Sequence, residues 1–512
     1  MVFPGTFAAT DPTKPALVQA DDGRVVTYGA LEQRSVRLAN HLREQGLAPG
    51  DSVAFIAENT PEVFEVYWAA LRSGLYVTGV NHHLTPDEAA YILTDCGARA
   101  LVGTGEHADL VTAVAELVPG LEVRLAFEGP VRGFDDYEEA LAAASPVAPA
   151  DQPRGTDMLY SSGTTGRPKG VKAPLPPRQV DEPGDMLAAV FGPLYGFDAD
   201  TVYYSAAPTY HAAPLRFGGM VSMFGGTLVM SRRFDAETSL GMIEQHRVTH
   251  SQWVPTMFVR MLKLDDEVRE QYDVSSLRVA IHAAAPCPVE VKQRMIDWWG
   301  PILYEYYSST EANGITLIGP EDWLAHPGSV GRAALGVIRV CGPDSTELAT
   351  GETGTVYFER DELPFTYHRD PERTAAVTHP AHPTWTTTGD IGHVDDEGFL
   401  YLTDRTAFTI ISGGVNVYPQ EIENALALHP AILDVAVVGV PDDDLGQAVK
   451  AFVQPVADAT PSETLAAEIL ASLEGTLARY KIPRTVEFVD ALPRTATGKL
   501  AKGRLVEAQR RG

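Results

Sequence analysis

Hydrophobic and polar positions alternate between a helical and an extended period over the N-terminal part of the chain. Between residues 27 and 47 the apolar side chains recur at helical spacing, which predicts an amphipathic helix. The same pattern analysis predicts strands at residues 52–57, 76–80 and 100–102, and helices at residues 61–73 and 85–96. Strands that alternate with helices at this spacing predict an α/β architecture with a largely parallel sheet, which helices cover on both faces.

A similar alternation returns near the C-terminus. A helix is predicted after Pro419, strands at residues 435–440 and 449–454, and a second helix at residues 464–480. In that second helix an apolar stripe is formed by Leu465, Ile469, Leu473 and Leu477. About a hundred residues suffice for an independent domain. The pattern therefore favours a small C-terminal unit.

Two stretches lack either period. Residues 140–154 are rich in Ala and Pro and carry few large apolar side chains, which predicts a loop. Residues 174–184 are rich in proline and have little periodicity, which predicts a mobile segment or a surface excursion.

Length and charge narrow the class of protein. At 512 residues the chain is longer than a single core usually allows, so at least two domains are expected. The 68 acidic residues outnumber the 40 basic ones and give a net charge of -28, which argues against nucleic acid or an anionic membrane as a partner. A basic pocket for an anionic ligand is compatible with that charge. The oligomeric state cannot be read from the sequence.

Cysteine usage and the apolar runs bear on the compartment. Cys96, Cys287 and Cys341 are far apart, so a disulfide framework or a zinc site is not expected. No signal-peptide pattern is present at the start, and no window approaches about 18 uninterrupted apolar residues, the length of a membrane span. A cytoplasmic protein without a transmembrane segment is the expectation.

Residues 160–171 read Tyr-Ser-Ser-Gly-Thr-Thr-Gly-Arg-Pro-Lys-Gly-Val and suit a polyphosphate. Glycines let backbone N–H groups approach an anion, while hydroxyls and Lys169 supply donors and charge. The spacing differs from the Walker pattern, because Lys169 is followed by glycine. The alternative is a polar surface loop between two strands.

This stretch resembles the phosphate-binding signature of the adenylate-forming superfamily, which contains acyl-CoA synthetases, adenylation domains of peptide synthetases, and luciferases. The resemblance implies a large N-terminal domain of layered α/β sheets with a distorted β-barrel-like part, over residues 1–404. It also implies a small, mobile α+β C-terminal domain over residues 405–512. The implied phosphate-binding residues are Ser161, Ser162, Gly163, Thr164, Thr165, Gly166 and Lys169.

Residues 306–311 read Tyr-Tyr-Ser-Ser-Thr-Glu and resemble the superfamily's Tyr-Gly-x-Thr-Glu motif, with Ser308 in place of glycine. Thr310 offers a hydroxyl to a phosphate. Glu311 offers the hard oxygen that Mg²⁺ prefers beside substrate phosphates. The alternative for this segment is an ordinary helix N-terminus. Whether the extra Cβ of Ser308 narrows the acyl side of the pocket is left open by the sequence.

Three further segments match superfamily elements in the expected order. The small residues Ala284, Ala285 and Pro286 resemble the segment with which the superfamily holds adenine. Tyr307 is grouped with them among the predicted nucleotide-binding residues. Asp390, in a Thr-Gly-Asp element, is suited to accept hydrogen bonds from both ribose hydroxyls, and Arg405 to pair with a phosphate or ribose oxygen. Each element taken alone also fits a strand end or an acidic turn beside an arginine.

The acid pocket is predicted from the neighbourhood of these motifs. An aromatic-His segment at Tyr210 and His211 resembles one wall of the acyl pocket, and His211 is also grouped with the catalytic residues. The other predicted pocket residues are Phe217, Gly218, Met220, Trp253, His282 and Gly314. Aromatic and small residues together leave an aryl acid and a medium-chain acid equally open.

Residues 410–423 resemble the opening of the superfamily's C-terminal domain, with a hinge at residues 404–407. Many relatives carry Asp or Lys where this chain has Ala407, which leaves the hinge mechanics open. Ser412, Gly413 and Gly414 are expected to line a pantetheine tunnel. The final motif supplies Lys499, the candidate cation for adenylation.

The resemblance implies two half-reactions in one site. A carboxylate attacks the α-phosphorus of ATP and expels pyrophosphate, and the thiol of CoA then attacks the acyl-adenylate. Charge neutralisation and positioning are the work asked of the protein. The expected ligands are ATP, Mg²⁺, CoA and a small carboxylic acid, as in bacterial fatty-acid or medium-chain acyl-CoA ligases. The alternatives are another acceptor (a carrier protein or an amine), an unusual oxyanion, or a catalytically silent nucleotide-binding protein.

Overall fold

The computed structural model describes residues 3–161, 168–405, 408–442, 445–494 and 500–511. The first part of the chain forms α1 (Pro4–Thr10), β1 (Pro15–Gln19), β2 (Val25–Thr27), α2 (Tyr28–Glu44), β3 (Ser52–Ile56), α3 (Pro61–Leu71), β4 (Tyr76–Val80), α4 (Pro86–Cys96), β5 (Ala98–Thr104), α5 (Ala108–Leu117), β6 (Val123–Phe127), β7 (Asp135–Asp136), α6 (Tyr137–Ala143) and β8 (Thr156–Ser161).

The middle of the chain follows the same alternation and then becomes antiparallel. Its elements are β9 (Lys169–Lys172), α7 (Met186–Tyr195), β10 (Val202–Ser205), α8 (Ala212–Phe224), β11 (Thr227–Met230), α9 (Ala236–His246), β12 (His250–Trp253), α10 (Pro255–Leu262), α11 (Asp266–Arg269), β13 (Val279–His282), α12 (Val289–Trp299), β14 (Leu303–Tyr307), β15 (Ile315–Ile318), α13 (Pro320–Ala325), β16 (Ser329–Leu335), β17 (Val337–Cys341), β18 (Gly354–Glu359), β19 (Thr366–Tyr367), α14 (Pro371–Ala376), β20 (Thr378–His379), β21 (His382–Thr386), β22 (Asp390–Val394) and β23 (Leu400–Arg405).

The last part of the chain builds a separate small sheet. Its elements are β24 (Ile410–Ser412), β25 (Val415–Val417), α15 (Pro419–Leu426), β26 (Ile432–Asp442), β27 (Gly446–Pro455), α16 (Glu463–Ser472), β28 (Thr485–Phe488) and α17 (Lys502–Arg511).

Two sheets with parallel cores confirm the predicted α/β class. One has the strand order β19-β9-β8-β4-β3-β5-β6-β7, and its β3 to β6 strands pair in parallel. In the other, which we term the central sheet, the strands β1, β11, β10, β12, β13 and β14 pair in parallel. From β15 onward the central sheet continues through antiparallel strands.

Local chemistry explains where the N-terminal helices begin and end. Thr27 caps α2 by accepting a hydrogen bond from the backbone N–H of Ala30. Thr85 and Glu88 form a reciprocal capping box at α4, and that helix ends at Gly97 with a φ of 66°. Helices and strands predicted from residue 27 to residue 104 are thereby confirmed, with bounds that differ by a few residues.

Two predicted bounds were wrong. The Ala-rich stretch predicted as a loop from residue 140 begins inside α6, because Asp136 caps that helix through the N–H of Glu139 and Tyr137 is fully buried. The helix predicted to reach residue 480 ends at Ser472, although Ile469 and Leu473 are buried as the apolar stripe requires. A turn with a bridge between Glu474 and Leu477 replaces its last part.

The C-terminal sheet has its own core and contacts the large domain. Ile422, Leu426 and Val437 are fully buried within it. Lys263 of α10 donates to the carbonyl of Ile432, and the backbone N–H of Gln420 donates to Asp404 at 3.1 Å. Among the described residues, no helix combines the length and the apolarity that a membrane crossing requires.

Candidate active site

Asp390 is the centre of the first half of the site. At 6% exposure its carboxylate accepts hydrogen bonds from Tyr307 Oη at 2.6 Å, Thr388 Oγ1 at 2.8 Å and Arg405 Nε at 2.9 Å. Burial alone would raise its pKa, but the charge of Arg405 and the three donors outweigh burial and hold the pKa below its ordinary value. The antiparallel pairing of β22 with β23 places Asp390 directly opposite Arg405. Asp390, two residues close to it in sequence and the distant Tyr307 thus form one fixed, ionised acceptor.

Tyr367 joins two more of the predicted residues. Its hydroxyl donates to Glu311 Oε1 at 2.9 Å, and Lys169 Nζ lies 5.0 Å from the centroid of its ring. The contact follows from sheet pairing, because β19 adds to β9 with Tyr367 opposite Val171. The structure therefore brings the predicted phosphate-binding lysine and the predicted metal ligand to one place.

The Lys169 side chain is half-buried and lies near other charged groups. Burial and the nearby cation Arg373 lower its pKa to about 8, against the opposing effect of Glu311 and Asp370. Its charge is therefore sensitive to mildly alkaline pH. A bound polyphosphate at this position favours the charged form of the lysine.

The predicted adenine wall lies at the carboxyl end of β13. Residues Ala284, Ala285 and Pro286 are exposed, and Ala284 has a φ of 76°, a left-handed conformation that is strained for a residue with a Cβ. Ala312, directly after Glu311, has a φ of 50°. Strain of this kind concentrates at functional sites and persists only when the surrounding structure fixes it.

The segment from Ser308 to Gly314 is closed by its own side chains. Ser308 Oγ donates to the carbonyl of Gly314 at 2.8 Å, and Ser309 Oγ donates to Asn313 Oδ1 at 2.9 Å. Thr310 lies half-buried inside this turn and precedes Glu311. The serine that replaces the superfamily's glycine therefore holds the turn that presents Thr310 and Glu311.

Several predicted residues lie outside the described part of the chain: Ser162, Gly163, Thr164, Thr165, Gly166, Ala407 and Lys499. Ser161 ends β8, and its backbone pairs with Lys169. The roles assigned to these residues stay predictions.

Ser412, Gly413 and Gly414 form the turn of a β-hairpin. Ser412 pairs with Val415, and the two glycines have φ values of 59° and 81°. Two successive positive φ values are what a tight hairpin turn requires, and glycine supplies them without strain. The turn explains both glycines, and the tunnel role stays a prediction.

The predicted acid pocket divides between two faces of the central sheet. The front face of the central sheet, which packs against α8, carries Tyr203, Gln252, Ile281, Tyr304 and Tyr306. Its back face carries Tyr204, Trp253, Ala280, His282 and Glu305. Phe217 and Met220 belong to the core of the front face, whereas Trp253 and His282 lie on the back, each with at most 1% exposure. The prediction of a single pocket containing all four residues is therefore wrong, because the sheet separates Phe217 and Met220 from Trp253 and His282.

The two predicted pocket glycines are packing sites. A Cβ at Gly218 would lie 2.4 Å from Cζ of Phe64, and one at Gly314 would lie 2.0 Å from Cδ1 of Phe358. The rings already fill the space beside both glycines, which corrects the idea that they leave room for a substrate.

Tyr210 and His211 are neighbours at the start of α8, with ring centroids 4.7 Å apart. Tyr210 is 8% exposed and lies against Gly79, where an added Cβ would be 2.8 Å from its Cα. His211 is half-buried. Their predicted wall of the pocket thus meets the carboxyl end of β4.

Sequence reasoning missed Tyr367 and Thr388. Both supply donors to the two carboxylates of the site. Thr388 lies two residues before Asp390, so its position beside the predicted acceptor was a usable signal, whereas Tyr367 is brought to Glu311 only by the pairing of β19 with β9.

Family comparison agrees with this arrangement. The sequence profile of the AMP-binding enzyme family matches residues 6–367, and that of the AMP-binding enzyme C-terminal domain matches residues 421–499. The chain belongs to the AMP-binding enzyme family and is an enzyme of its AMP-forming, acyl-CoA-synthetase-like ligase class.

The relatives include proteins named as CoA ligases or CoA synthases. A feruloyl-CoA synthase from Amycolatopsis sp. is 34% identical over 94% of this chain and 93% of its own length. An indoleacetate–CoA ligase from Aromatoleum aromaticum is 33% identical over 97% of this chain and 95% of its own length. The solved structure of the anthranilate CoA ligase AuaEII in complex with anthranoyl-AMP superposes with a TM-score of 0.85 at 27% identity, covering 100% of this chain and 97% of that one.

Proposed function

We propose that the protein is an acid–CoA ligase, which converts a carboxylic acid and ATP to an acyl-adenylate and transfers the acyl group to CoA. The observation that carries the proposal is the meeting of Lys169 and Glu311 through Tyr367. The fixed Asp390–Arg405 pair supports it, as do relatives that are themselves CoA ligases.

Charge stabilisation at the phosphates is the first role of these residues. Lys169 is suited to bind the leaving pyrophosphate, since it begins β9 opposite Ser161, the last residue of β8 before the predicted phosphate-binding stretch. Lys499 is assigned to the carboxylate and the α-phosphate oxygens, following its motif. Oriented positive charge that meets developing negative charge lowers the barrier without covalent participation by the protein.

The nucleoside is held by the other half of the site. The Asp390 carboxylate is ionised by its surroundings and suits the ribose hydroxyls, with Arg405 beside it. Ala284, Ala285 and Pro286 offer an exposed, flat wall for adenine. Tyr307, the last residue of β14, fixes the Asp390 carboxylate. The end of β14 therefore positions the ribose site, and the residues that follow it include the proposed metal ligand Glu311.

The donor set fits Mg²⁺. Glu311 is 7% exposed and presents a hard carboxylate oxygen, with the Thr310 hydroxyl next to it in the chain. A magnesium ion bound there would neutralise phosphate charge, and Tyr367 would orient the carboxylate that holds it. Glu311, Thr310 and Tyr367 are the residues assigned to that site.

The second half-reaction is assigned to the C-terminal unit. With a boundary at residues 404–405, the hairpin turn at Ser412 to Gly414 is assigned to the pantetheine path, and no protein nucleophile is needed. We also assign the enzyme to the cytoplasm, because ATP and CoA are supplied there and the three cysteines are free thiols.

A two-stage assay tests the function. Pyrophosphate release is measured with a panel of acids, and thioester formation is then measured after addition of CoA. Lys499→Ala is expected to lower pyrophosphate release at least a hundredfold, since one charge at an anionic transition state is removed. Lys481→Ala, which removes a lysine paired with Glu421 in the same unit, is the matched control and is expected to stay near wild type.

Two results would count against the proposal. Release of AMP without a CoA thioester would exclude CoA as the acceptor. Equal pyrophosphate release by Lys499→Ala and wild type would exclude the role of Lys499, whereas no release above background by wild type with any acid would favour a catalytically silent nucleotide-binding protein.

A further inference from the structure

Glu58, His82 and His107 form a cluster at one edge of the sheet that contains β3, β4 and β5. Glu58 follows β3, His82 follows β4 and His107 follows β5, each within three residues of the end of its strand. The three strands are parallel neighbours, with β3 between β4 and β5, so their carboxyl ends lie side by side. Open α/β sheets bind ligands at this edge. We term these three residues the His–Glu cluster.

The ligand atoms of the His–Glu cluster are close together. One ligand atom from each residue lies within 4.8 Å of those from the other two, and Nε2 of His107 is 3.9 Å from Oε1 of Glu58. The rings of His82 and His107 are stacked, with centroids 4.5 Å apart and an interplanar angle of 10°. A tetrahedral zinc ion with bonds of about 2.0–2.2 Å holds its ligand atoms about 3.3–3.6 Å apart.

One movement converts the cluster to this geometry. The His107 ring must rotate out of the stack, and the ligand atoms must approach one another by up to about 1.5 Å. His107 ends a short 3-10 turn (Gly105–His107), and 21% of its side chain is exposed, so its ring has room to rotate. His82 and Glu58 supply a fixed side of the cluster, since Glu58 is 2% exposed.

Two ring nitrogens in the cluster lack partners. His82 Nδ1 and His107 Nε2 are buried and make no hydrogen bond within the part of the chain that the structure describes. The backbone of Ala57 lies within hydrogen-bonding reach of the His82 ring, which leaves Nδ1 as the nitrogen with a free lone pair. Metal-binding histidines are oriented in this way, through a hydrogen bond from the nitrogen that does not bind the metal.

Arginines orient the carboxylate without making the cluster positive. Glu58 Oε1 accepts a hydrogen bond from Arg233 Nη2 at 2.7 Å, and Arg232 Nη1 lies 3.7 Å from Oε2. Arg232 is itself paired with Glu128 at 2.6 Å and with Glu106 at 3.3 Å. Three carboxylates thus accompany two guanidiniums, so a cation meets a net negative charge. A carboxylate has about four lone-pair sites, and Arg233 leaves some of them for a metal ion.

We propose that Glu58, His82 and His107 bind a divalent transition-metal ion of the zinc type, with water as the fourth ligand. Two imidazoles and a carboxylate are an established zinc ligand set, and imidazole selects such ions over Mg²⁺, which prefers oxygen. The site is distinct from the proposed magnesium site, because Glu311 follows β14 of the central sheet. It does not depend on the proposed ligase function.

The ligands are too far apart along the chain to form a short motif. The sequence gave no zinc site because that expectation was drawn from the cysteines, and this site uses none of them. Sheet pairing alone brings the three residues together. An ion bound there ties the ends of three strands to one another, so it is expected to stabilise the folded protein.

Calorimetric titration of the metal-free, full-length protein with Zn²⁺ tests the proposal. One Zn²⁺ per chain is expected, and no binding of Mg²⁺ at the same concentration. His82→Ala and His107→Ala are expected to weaken the affinity at least a hundredfold, since loss of an outer-shell partner alone costs about 10–100-fold. His83→Ala changes the exposed neighbour of His82 and is the matched control, with wild-type affinity expected.

Thermal unfolding and Co²⁺ absorption supply independent readouts. Zn²⁺ is expected to raise the unfolding temperature of wild type and His83→Ala, and to leave that of His82→Ala and His107→Ala unchanged. Co²⁺, which replaces Zn²⁺ in tetrahedral sites, should show their strong visible absorption with wild type and lose it in both ligand variants. Unfolding temperatures of the metal-free variants identify any that fails to fold. Absence of stoichiometric Zn²⁺ binding by wild type, or equal affinity in all four proteins, overturns the proposal.

Discussion

The two faces of the central sheet bury different polar side chains. On the back, Lys292 of α12 donates to Glu305 at 2.7 Å, and both are nearly inaccessible, at 0% and 5% exposure. His282 lies 3.5 Å from the same carboxylate, and burial followed by the charge of Lys292 lowers its pKa well below the ordinary value. On the front, the half-buried Arg216 donates to Asp157 at 2.9 and 2.7 Å. Among the described residues, each face also buries polar atoms without a hydrogen-bond partner: those of Tyr195, Tyr203 and Gln252 on the front, and the ring nitrogens of His282 on the back.

The difference lies in the charged groups. On the back face the buried Glu305 has Lys292 as its own partner, so the pair fixes the packing of α12 against the sheet. On the front face Arg216 is paired with Asp157 of β8, so its charge ties α8 to the other parallel sheet. Trp253 and His282 lie on the back face, which explains why residue type alone predicted a mixed pocket.

The largest effect is expected on the back face. Lys292→Met leaves the buried Glu305 without its partner and is expected to lower the free energy of unfolding by about 3–5 kcal/mol. Urea unfolding followed by Trp fluorescence measures it. The double variant Lys292→Met/Glu305→Leu removes both charges and is expected to recover most of the loss. A Lys292→Met variant whose free energy of unfolding lies within about 1 kcal/mol of the wild-type value would show that this pair has no structural role.

Overpacking of α8 gives the next effect. Gly218→Ala is expected to cost about 1–3 kcal/mol, since the added Cβ would lie 2.4 Å from the Phe64 ring. The ratio of kcat/KM between acids should not change, because Gly218 packs on Phe64 of α3, where the ring leaves no space for a substrate. Gly241→Ala, where the nearest side-chain atom is 3.5 Å away, is the control and should be neutral or slightly stabilising in the same urea series. Changed acid selectivity in Gly218→Ala would return Gly218 to the pocket.

A smaller effect is expected where β14 ends. Tyr307→Phe removes one of three side-chain donors to Asp390 and is expected to lower kcat/KM for ATP about tenfold, or about 1.4 kcal/mol, as for a hydrogen bond to a charged group. Tyr357→Phe, in the adjoining antiparallel strands, serves as the control and should leave ATP kinetics unchanged. A Tyr307→Phe enzyme with wild-type ATP kinetics would show that the Asp390 carboxylate does not contact the nucleotide.

The smallest effect concerns pH. Lysine is charged below its pKa, so with a pKa of about 8 Lys169 loses its charge as the pH rises through that value. The kcat/KM for ATP, which reports the free enzyme, is expected to fall above pH 8. Lys169→Arg keeps the charge and should remove this fall, whereas Lys172→Arg on the same strand should keep the wild-type profile. Identical profiles for Lys169→Arg and wild type would assign the fall to another group.

Much of the fold could be predicted from periodicity and capping. The helices that begin after Thr27 and Thr85 depend on side-chain caps next to them in sequence, so local information was sufficient. The end of α16 was not predictable in this way, because the apolar stripe continues through Leu477 after the helical hydrogen bonds stop. An apolar stripe reports burial, and burial is satisfied equally by a turn.

The sequence by itself determined the α/β class, and its resemblance to the adenylate-forming superfamily predicted Asp390, Arg405, Glu311 and Lys169 as charged residues of one nucleotide site. The class depends on hydrophobic periodicity and the resemblance on short local motifs, and both can be read along the chain without the structure. Only the tertiary structure decided that Tyr367 joins Lys169 to Glu311, and that Trp253 and Phe217 lie on opposite sides of a sheet. Side-chain direction alternates along a strand, and strand register is set by pairing with distant segments, so neither is fixed by neighbours in sequence.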